Sequence, residues 1–333
     1  MPEEQEKTTQ PAGKKAKLIQ WQRPMIDVLI AAVPPILGSV YFFGLRFLLV
    51  LATCNAIGFL VEWIFVRRRG KPVTSAVFVT ATLYSLTLPP RTPLPIAVVG
   101  IVVAVMFGKM VFGGFGANVF NPALVGRCFI YINFPKSLTS DWAHPFTSGL
   151  GGFLHWTNAD AFTGATPLDQ FKAAGQIEPL GNLFLGNISG SFGETSALLI
   201  LLGGAYLLYR RTANWRIMIS VLASAFMFSA IFHYAGAKQV PPPHWTLLAG
   251  GLMFGAVYMA TDPISAARTP EGMFIYGSLI GIVTVVIRAF SGFSGGVNFA
   301  ILLGNTFAPI TDYCVRAVKE KRKAAAEVGG ESV

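Results

Sequence analysis

The sequence predicts an all-α membrane protein of about ten transmembrane helices, arranged as two inverted five-helix repeats with one external loop region. Its composition predicts the membrane: 53% of the 333 residues are hydrophobic before any glycine is counted, and only 13% are charged, against about 25% in soluble domains. The charges lie in short islands, and the apolar runs between them are long enough to cross a bilayer as helices. A similar glycine-rich segment in each half of the chain predicts the repeat.

Ten apolar segments are the predicted spans. They are residues 25–44, 46–66, 73–88, 94–111, 119–134, 195–209, 215–233, 245–260, 272–290 and 297–315. Proline in the first span and serine and threonine in the third predict interrupted helices, whose freed backbone groups are satisfied inside the bundle. The predicted organisation is a tail (1–24), a first repeat (25–134), a loop (135–194), a second repeat (195–316) and a second tail (317–333).

The basic residues predict the orientation of the chain. With both termini in the cytoplasm, 20 of the 26 lysines and arginines lie inside, Lys109 and Arg127 among them, as the positive-inside rule requires. The loop 135–194 then faces the external side of the membrane. The basic segments Lys14–Lys17 and Lys319–Lys323 are expected to contact anionic lipid. They lack the aromatic interleaving that nucleic-acid binding would need.

The repeat is visible in two glycine-rich segments. Phe112–Gly126 can be laid over Phe290–Gly304 without gaps, and six of the fifteen positions agree. An odd number of spans in each half requires the halves to be inverted, and in such folds interrupted helices line a site or pathway near the midplane. The alternative interpretation is that the glycines only allow close helix packing.

One motif in the loop indicates chemistry. The segment reads Asn158-Ala-Asp160-Ala-Phe-Thr163-Gly164-Ala165-Thr166-Pro167-Leu-Asp169. Thr166 is a good N-cap, proline suits the first helical position and Asp169 suits the N-terminal dipole, so a short helix over 167–174 is expected. The free backbone N–H groups of such a helix start also bind phosphate. A plain capped turn and a phosphate anchor are both open at this point.

The motif resembles a flavin attachment signal. Asp160, Thr163, Gly164, Ala165 and Thr166 match D-x-x-[ST]-G-A-T, at which a flavin transferase joins FMN to the last threonine through a phosphoester. With Gly113–Ala123 at the fifth span, nearly the whole chain resembles the D subunit of the Rnf electron-transport complex and the related B subunit of the sodium-pumping NADH:quinone oxidoreductase. The short N-terminal tail favours the Rnf subunit. Thr163 stands where the family often has serine, and it retains the hydroxyl.

The resemblance implies a membrane subunit of an ion-translocating oxidoreductase complex, of the ferredoxin:NAD or NADH:quinone type. It would lie in a bacterial or archaeal inner membrane, with the flavin loop on the external or periplasmic side. Electrons would pass through FMN on Thr166 to another flavoprotein subunit, coupled to Na⁺ or H⁺ movement. The transferase would recognise Asp160, Thr163, Gly164 and Ala165. The aromatic residues nearby in sequence are candidate neighbours of the flavin ring: Phe153, Trp156 and Phe162.

Polar residues within or near the spans are further candidates. Asn118, Asn121 and Asn298 offer amides to an ion or to a second, noncovalent riboflavin or FMN, and helix packing is the alternative. Acids near span ends are candidates for ion passage, because charge in hydrocarbon is costly; they are Asp27, Glu62, Asp262 and Asp312. The alternative is that they contact headgroup water or pair with nearby arginines, namely Arg23, Arg67, Arg268 and Arg316.

Several classes are disfavoured by what the sequence lacks. The three cysteines form no CxxC pair and the four histidines match no ligand spacing, so no metal site is predicted. Because there is no dinucleotide fingerprint, NADH or ferredoxin would be oxidised on partner subunits, and the chain is expected to be a redox subunit rather than a whole enzyme. The competing function is a solute channel or carrier on the same inverted-repeat fold without a redox role.

Overall fold

The computed structural model describes residues 18–139, 142–147, 149–157, 164–293 and 295–330, with only the backbone for 324–330. The α-helices of this described part follow in chain order. They are α1 (Arg23–Ala31), α2 (Val33–Phe43), α3 (Arg46–Arg67), α4 (Ala76–Leu86), α5 (Leu94–Val105), α6 (Pro122–Asn133), α7 (Pro135–Thr139), α8 (Pro167–Ala174), α9 (Leu180–Leu185), α10 (Ala197–Tyr209), α11 (Trp215–Tyr234), α12 (Pro243–Leu248), α13 (Leu252–Phe254), α14 (Pro270–Phe290) and α15 (Val297–Gly330).

The shorter elements complete the secondary structure. A π-helical turn, Met106–Met110, continues α5, and a second one, Gly255–Met259, continues α13. A 3₁₀ turn covers Gly151–Leu154. Strands β1 (Ile19–Gln20) and β2 (Val73–Thr74) pair in parallel, with Ile19 opposite Val73.

Each of the ten predicted spans contains helix, although those predicted over 73–88, 119–134 and 245–260 also contain non-helical residues. In the described residues, four helical stretches are long and apolar enough to cross a membrane: Arg23–Phe43, Arg46–Arg67, Trp215–Tyr234 and Pro270–Phe290. Three more are apolar and shorter, namely Ala76–Leu86, Leu94–Met110 and Ala197–Tyr209. The protein is therefore a helical, multi-pass membrane protein. The last helix continues to Gly330, beyond the boundary predicted at residue 316.

Two of the predicted spans are interrupted. The first changes from α1 to α2 at Ala32, where Pro34 and Pro35 supply no N–H groups for helical hydrogen bonds. The span predicted over 245–260 breaks between α12 and α13, where Ala249 is extended and Gly250 has a φ of 64°. Because φ is positive there, glycine is the residue that fits without strain.

Helix contacts follow the same pattern in both halves of the chain. Helix α3 contacts α4 and α5, and α5 contacts α6; in the second half α11 contacts α12 and α14, and α14 contacts α15. The halves meet where α2 contacts α10 and α6 contacts α15. Glycine allows close approach, since a Cβ at Gly126 would clash with the Gly100 carbonyl of α5 and one at Gly281 would clash with the Val221 carbonyl of α11.

The bundle has two ends, which serve as reference points below. The loop end carries α7, α8, α9 and the start of α3. The opposite end carries the two strands and the start of α14. At the loop end a small second core joins α8 and α9 to α12; its buried members are Leu168, Leu183, Ile188, Trp245 and Ala249. Helix α8 is thus held by a helix of the second half of the chain.

Candidate functional site

Thr166 begins helix α8, as predicted from its sequence. Its backbone is extended, its Oγ1 accepts a hydrogen bond from the Asp169 N–H at 3.2 Å, and its hydroxyl donates to Asp169 Oδ2 at 2.6 Å. Pro167 opens the helix, and Gly175, with a φ of 67°, ends it. The predicted helix over 167–174 is confirmed. The hydroxyl therefore lies at the positive end of a helix dipole, beside a carboxylate.

The rest of the motif is partly described. The Gly164 N–H donates to the Trp142 carbonyl at 3.0 Å, and a Cβ at Gly164 would clash with Ser189 Oγ. The Ala165 carbonyl accepts a hydrogen bond from Gln170 Nε2 at 3.0 Å. Asp160 and Thr163 lie outside the described residues. Thr166 itself is 8% exposed.

Thr166 lines a cleft of about 890 Å³ that includes space open to solvent. We call it the loop-end cavity. Helix α6 supplies Arg127, Cys128 and Tyr131, and the glycine break before α13 supplies Gly250 and Gly251. The remaining walls include Thr87, Trp142, Glu194, Phe254, Val297, Asn298 and Phe299. Both halves of the chain therefore form the cavity.

Arg127 is the charged group most enclosed in this cavity. It is 4% exposed, and its Nε and Nη1 have no hydrogen-bond partner among the described residues. Its guanidinium lies 5.4 Å from the centre of the Tyr131 ring. The sequence assigned Arg127 to the cytoplasmic side, whereas the structure places it in the wall of the cavity that Thr166 lines.

A second cavity, of about 660 Å³, lies at the opposite end of the bundle. We call it the opposite-end cavity. It brings together Asn118, Asn121 and Asp262, three of the four polar residues predicted to line a pathway or second cofactor site, and adds Lys109. The fourth, Asn298, lines the loop-end cavity instead. Helix α4 contributes to both cavities, through Thr80 at one end and Thr87 at the other.

Lys109 is buried in an ion pair beside this cavity. Its Nζ lies 2.6 Å from Glu62 Oε2 and 2.7 Å from Thr74 Oγ1, and Glu62 Oε1 accepts a hydrogen bond from the Thr74 N–H at 2.9 Å. Lys109 and Glu62 are each 1% exposed. Of the alternatives open for Glu62, the pair with Arg67 does not form. The π-helical turn Met106–Met110 carries Lys109, which pairs with Glu62, and the Arg67 guanidinium lies 4.8 Å from the centre of the Trp63 ring.

The other three acidic residues also form ion pairs or hydrogen bonds with groups of the protein. Asp27 pairs with Arg210 at 3.2 Å and not with Arg23, because α1 packs against α10. Asp262 accepts a hydrogen bond from Ser265 Oγ at 2.8 Å. Asp312 accepts from the backbone N–H groups of Arg268 and Thr269 at 2.8 and 2.9 Å. These carboxylates hold turns and helix ends in place.

Asn305 connects the two repeated segments and was missed by sequence reasoning. It is fully buried; its Oδ1 accepts from the Asn121 N–H at 3.1 Å, and its Nδ2 donates to Tyr276 Oη at 2.9 Å and to the Ser265 carbonyl at 3.2 Å. Asn121 Nδ2 in turn donates to the Met259 carbonyl at 3.3 Å. The signal was present: Asn305 directly follows the second glycine-rich segment, at the position that Arg127 occupies after the first.

The comparison with known proteins identifies the family. Residues 9–321 match the family described as "NQR2, RnfD, RnfE family". The chain belongs to this family. Three relatives are named as the B subunit of a Na(+)-translocating NADH-quinone reductase. The protein from Yersinia pestis is 37% identical over 328 residues, covering 92% of this chain and 75% of its own. That from Pseudomonas aeruginosa strain LESB58 is 38% identical over 317 residues (92% and 76%), and that from Neisseria meningitidis serogroup A is 37% identical over 309 residues (88% and 72%).

In this member of the NQR2, RnfD, RnfE family, the aromatic lining of the loop-end cavity differs from what sequence proximity predicts. Phe153 and Trp156 are 43% and 56% exposed and lie outside the cavity wall. Phe162 lies outside the described residues. Four aromatic residues line the cavity instead, and only Trp142 among them belongs to the loop; the four are Tyr131, Trp142, Phe254 and Phe299. Helix packing brings these residues together, and their distance from Thr166 along the sequence does not predict this.

Lys172 ties the helix that carries Thr166 to the end of α14. Its Nζ donates to the Ser291 and Phe293 carbonyls at 3.1 and 3.2 Å. Burial lowers the pKa of Lys172 below the usual lysine value, while the nearby Asp169 carboxylate acts in the opposite direction. The contact adds to the Leu168 core in fixing α8 against the second half of the chain.

Proposed function

We propose that this chain is the membrane subunit of an ion-translocating oxidoreductase complex that relays electrons through FMN esterified to Thr166. The relatives named as subunits of a Na⁺-translocating NADH-quinone reductase support the type of complex. Partner subunits would oxidise NADH or ferredoxin and exchange electrons with this chain. A quinone-reductase complex and an Rnf complex both fit, and so do Na⁺ and H⁺ as the ion moved.

The observation that carries the proposal is the position of one hydroxyl. Thr166 Oγ1 lies at the N-terminus of α8 and in the wall of a cavity of about 890 Å³. A phosphoester at this oxygen places its phosphate beside the free N–H groups of a helix start, which favour anions. The flavin then has a cavity with aromatic walls next to its point of attachment.

The residues around Thr166 fit this group. Trp142 and Tyr131 offer flat apolar surface, and Arg127 offers unpaired N–H donors. Asp169 holds the free hydroxyl in one orientation through the 2.6 Å hydrogen bond, which presents Oγ1 for modification by a flavin transferase. When bound, FMN supplies the capacity to accept and release electrons, and the covalent bond prevents its loss.

The opposite-end cavity is proposed to hold a second, noncovalent flavin, riboflavin or FMN. The amides of Asn118 and Asn121 in its wall offer hydrogen bonds to a ring with several polar edges. We further propose the inverted five-plus-five topology, with the loop end external and both termini cytoplasmic. The matching helix contacts of the two halves support the repeat, and the distribution of basic residues supports the orientation.

Intact mass and in-gel flavin fluorescence test the proposal. The protein is produced with and without a co-expressed flavin transferase, as wild type, Thr166→Ala and Thr166→Ser. We expect one FMN minus one water on the wild type and on Thr166→Ser, only with the transferase, and none on Thr166→Ala. A second known acceptor protein in the same cells shows that the transferase is active.

The absence of an adduct on the wild type, while the control acceptor is flavinylated, would refute the central claim. Thr166 would then be a plain helix cap, and a solute channel or carrier would become the leading function. Such a carrier would show substrate flux in vesicles that Thr166→Ala leaves intact.

A further inference from the structure

Arg127 is a buried cation whose hydrogen-bonding capacity the protein does not use. An arginine carries five N–H donors and remains charged at every relevant pH. Here the side chain is 4% exposed, and Nε and Nη1 lack a partner among the described residues. Buried polar groups in folded proteins are normally paired. An unpaired guanidinium in a cavity wall therefore indicates a ligand that completes its hydrogen bonds.

The nearest acid of the cavity does not serve as that partner. Glu194 shares the cavity wall, yet its Oε1 accepts the Ser191 N–H at 3.0 Å, and its Oε2 points toward Gly251. Tyr131 provides a ring face for Arg127 at 5.4 Å, which holds the guanidinium in place without using its in-plane donors. The arrangement fixes the cation in the cavity wall and leaves Nε and Nη1 without a partner among the described residues.

We propose that Arg127 is the electrostatic partner of the flavin ring attached at Thr166 and sets its reduction potential. The inference rests on the proposed function. The guanidinium of Arg127 would lie near the N1 and carbonyl edge of the ring, where negative charge accumulates on reduction. Charge near N1 is one of the main means by which a protein adjusts flavin electronics. Arg127 is a positioning and tuning residue and takes no part in forming the phosphoester.

The cavity contains charges of both signs, and this makes the effect predictable in direction. Removing the positive charge of Arg127 makes the reduced flavin less stable and lowers the reduction potential. Removing the negative charge of Glu194 makes the reduced flavin more stable and raises the potential. Substitutions at Arg127 and at Glu194 are thus expected to shift the reduction potential in opposite directions. A general loosening of the fold would not produce opposite shifts.

The experiment is a redox titration of the flavinylated protein in detergent, followed by its visible absorbance. The variants are Arg127→Gln, Arg127→Lys and Glu194→Gln. We expect Arg127→Gln to reduce the preference for reduced flavin at least tenfold, which is about 30 mV for a two-electron couple. Arg127→Lys keeps the charge without the planar donors and is expected to fall between wild type and Arg127→Gln. Glu194→Gln is expected to shift the potential upward.

Arg46→Gln is the matched control. Arg46 lies at the same end of the bundle, and its guanidinium donates to the Pro90 and Thr92 carbonyls at 2.9 and 2.8 Å, away from the cavity wall. Its loss removes one positive charge without touching the proposed flavin environment. We expect the potential to stay at the wild-type value.

The outcomes separate the inference from the function on which it rests. A wild type without covalent flavin overturns the proposed function. A flavinylated wild type whose potential is the same in the Arg127 variants, or shifts equally in Arg46→Gln, overturns the role of Arg127 and leaves the attachment site standing. If Arg127→Gln does not accumulate, Arg127→Lys and Glu194→Gln still decide, because unchanged potentials in both would show that the ring lies elsewhere.

Discussion

The two cavities each contain one buried basic residue, and the protein treats them in opposite ways. At the opposite end, Lys109 is paired with Glu62 at 2.6 Å and bonded to Thr74. At the loop end, Arg127 is equally buried but leaves two of its nitrogens without partners among the described residues. Lys109 therefore has hydrogen-bond partners within the fold, whereas Arg127 has N–H groups without a partner among the described residues. A buried charged side chain is therefore evidence for a ligand site only when some of its hydrogen-bonding groups lack a partner in the protein.

The largest expected effect is a difference in the free energy of unfolding between variants that remove Lys109 and variants that remove Arg127. In the unflavinylated protein, Lys109→Met leaves Glu62 buried without its partner, which typically costs about 3–5 kcal/mol of unfolding free energy. Arg127→Met strands no acid and loses mainly the ring contact with Tyr131, worth about 0.5–2 kcal/mol. Denaturant unfolding in detergent, followed by tryptophan fluorescence, measures both. The double variant Glu62→Gln/Lys109→Met should recover part of the loss, and equal losses in the two single variants would contradict the distinction.

The hydrogen bonds of Asn305 between the two repeated segments give the next effect. Asn305→Leu leaves the Asn121 N–H and the Tyr276 hydroxyl without their partners, at a cost of about 1–3 kcal/mol. Asn298→Leu, on the same helix, is the control, because Asn298 is only half-buried and lines the loop-end cavity; its expected change is within about 0.5 kcal/mol. Thermal unfolding of the two variants compares them directly. A loss at Asn298 as large as at Asn305 would mean that Asn305 does not link the segments.

Gly250→Ala tests the break that shapes the loop-end cavity. The backbone φ is 64°, and a Cβ there would lie 2.6 Å from Leu168 Cδ1. We expect a loss of about 1–3 kcal/mol and reduced flavin attachment, since Leu168 fixes α8. Gly236→Ala is matched, because its φ is 87° and no heavy atom lies within 4 Å of the added Cβ. That variant should show the backbone cost alone and normal in-gel flavin fluorescence.

The smallest expected effect is the loss of the helix cap at Thr166. Thr166→Val removes the oxygen that accepts the Asp169 N–H at 3.2 Å, for about 0.5–2 kcal/mol of local stability. Thr166→Ser retains the oxygen and should behave as wild type. Amide hydrogen exchange in α8 of the unflavinylated protein reads out the difference. Unchanged exchange in Thr166→Val would show that the cap contributes little and that the position is kept free for modification alone.

Much of the fold follows from the sequence because apolar length and charge islands are local signals. Each predicted span contains helix, and the α8 boundaries and its N-cap were predicted from Thr166, Pro167, Asp169 and Gly175. The break at Gly250 was not predicted, because Ala249, Gly250 and Gly251 look like part of one apolar run. Its reason is the packing of Leu168 against the bend, a contact between distant parts of the chain.

The candidate sites were less predictable, since their walls come from several helices. The sequence identified Thr166 from a contiguous motif and selected Asn118, Asn121 and Asp262, which the structure brings to one cavity. It did not find the Lys109–Glu62 pair or the role of Asn305, because partners that lie 47 and 184 residues apart leave no local pattern. The sequence also placed Arg127 on the cytoplasmic side by counting charges, and such a count does not show where along a helix a charged residue lies.

The attachment of helix α8 has a mechanical consequence. The threonine on α8 is fixed to α12 through the Leu168 core and to the residues after α14 through Lys172, whereas the guanidinium opposite it belongs to α6. Any sliding of α6 against α12 and α14 therefore changes the gap between the point of attachment and the charge. We therefore expect a change in the occupant of the cavity to displace these two groups of helices relative to each other, and a relative movement of the helices to change the surroundings of the occupant.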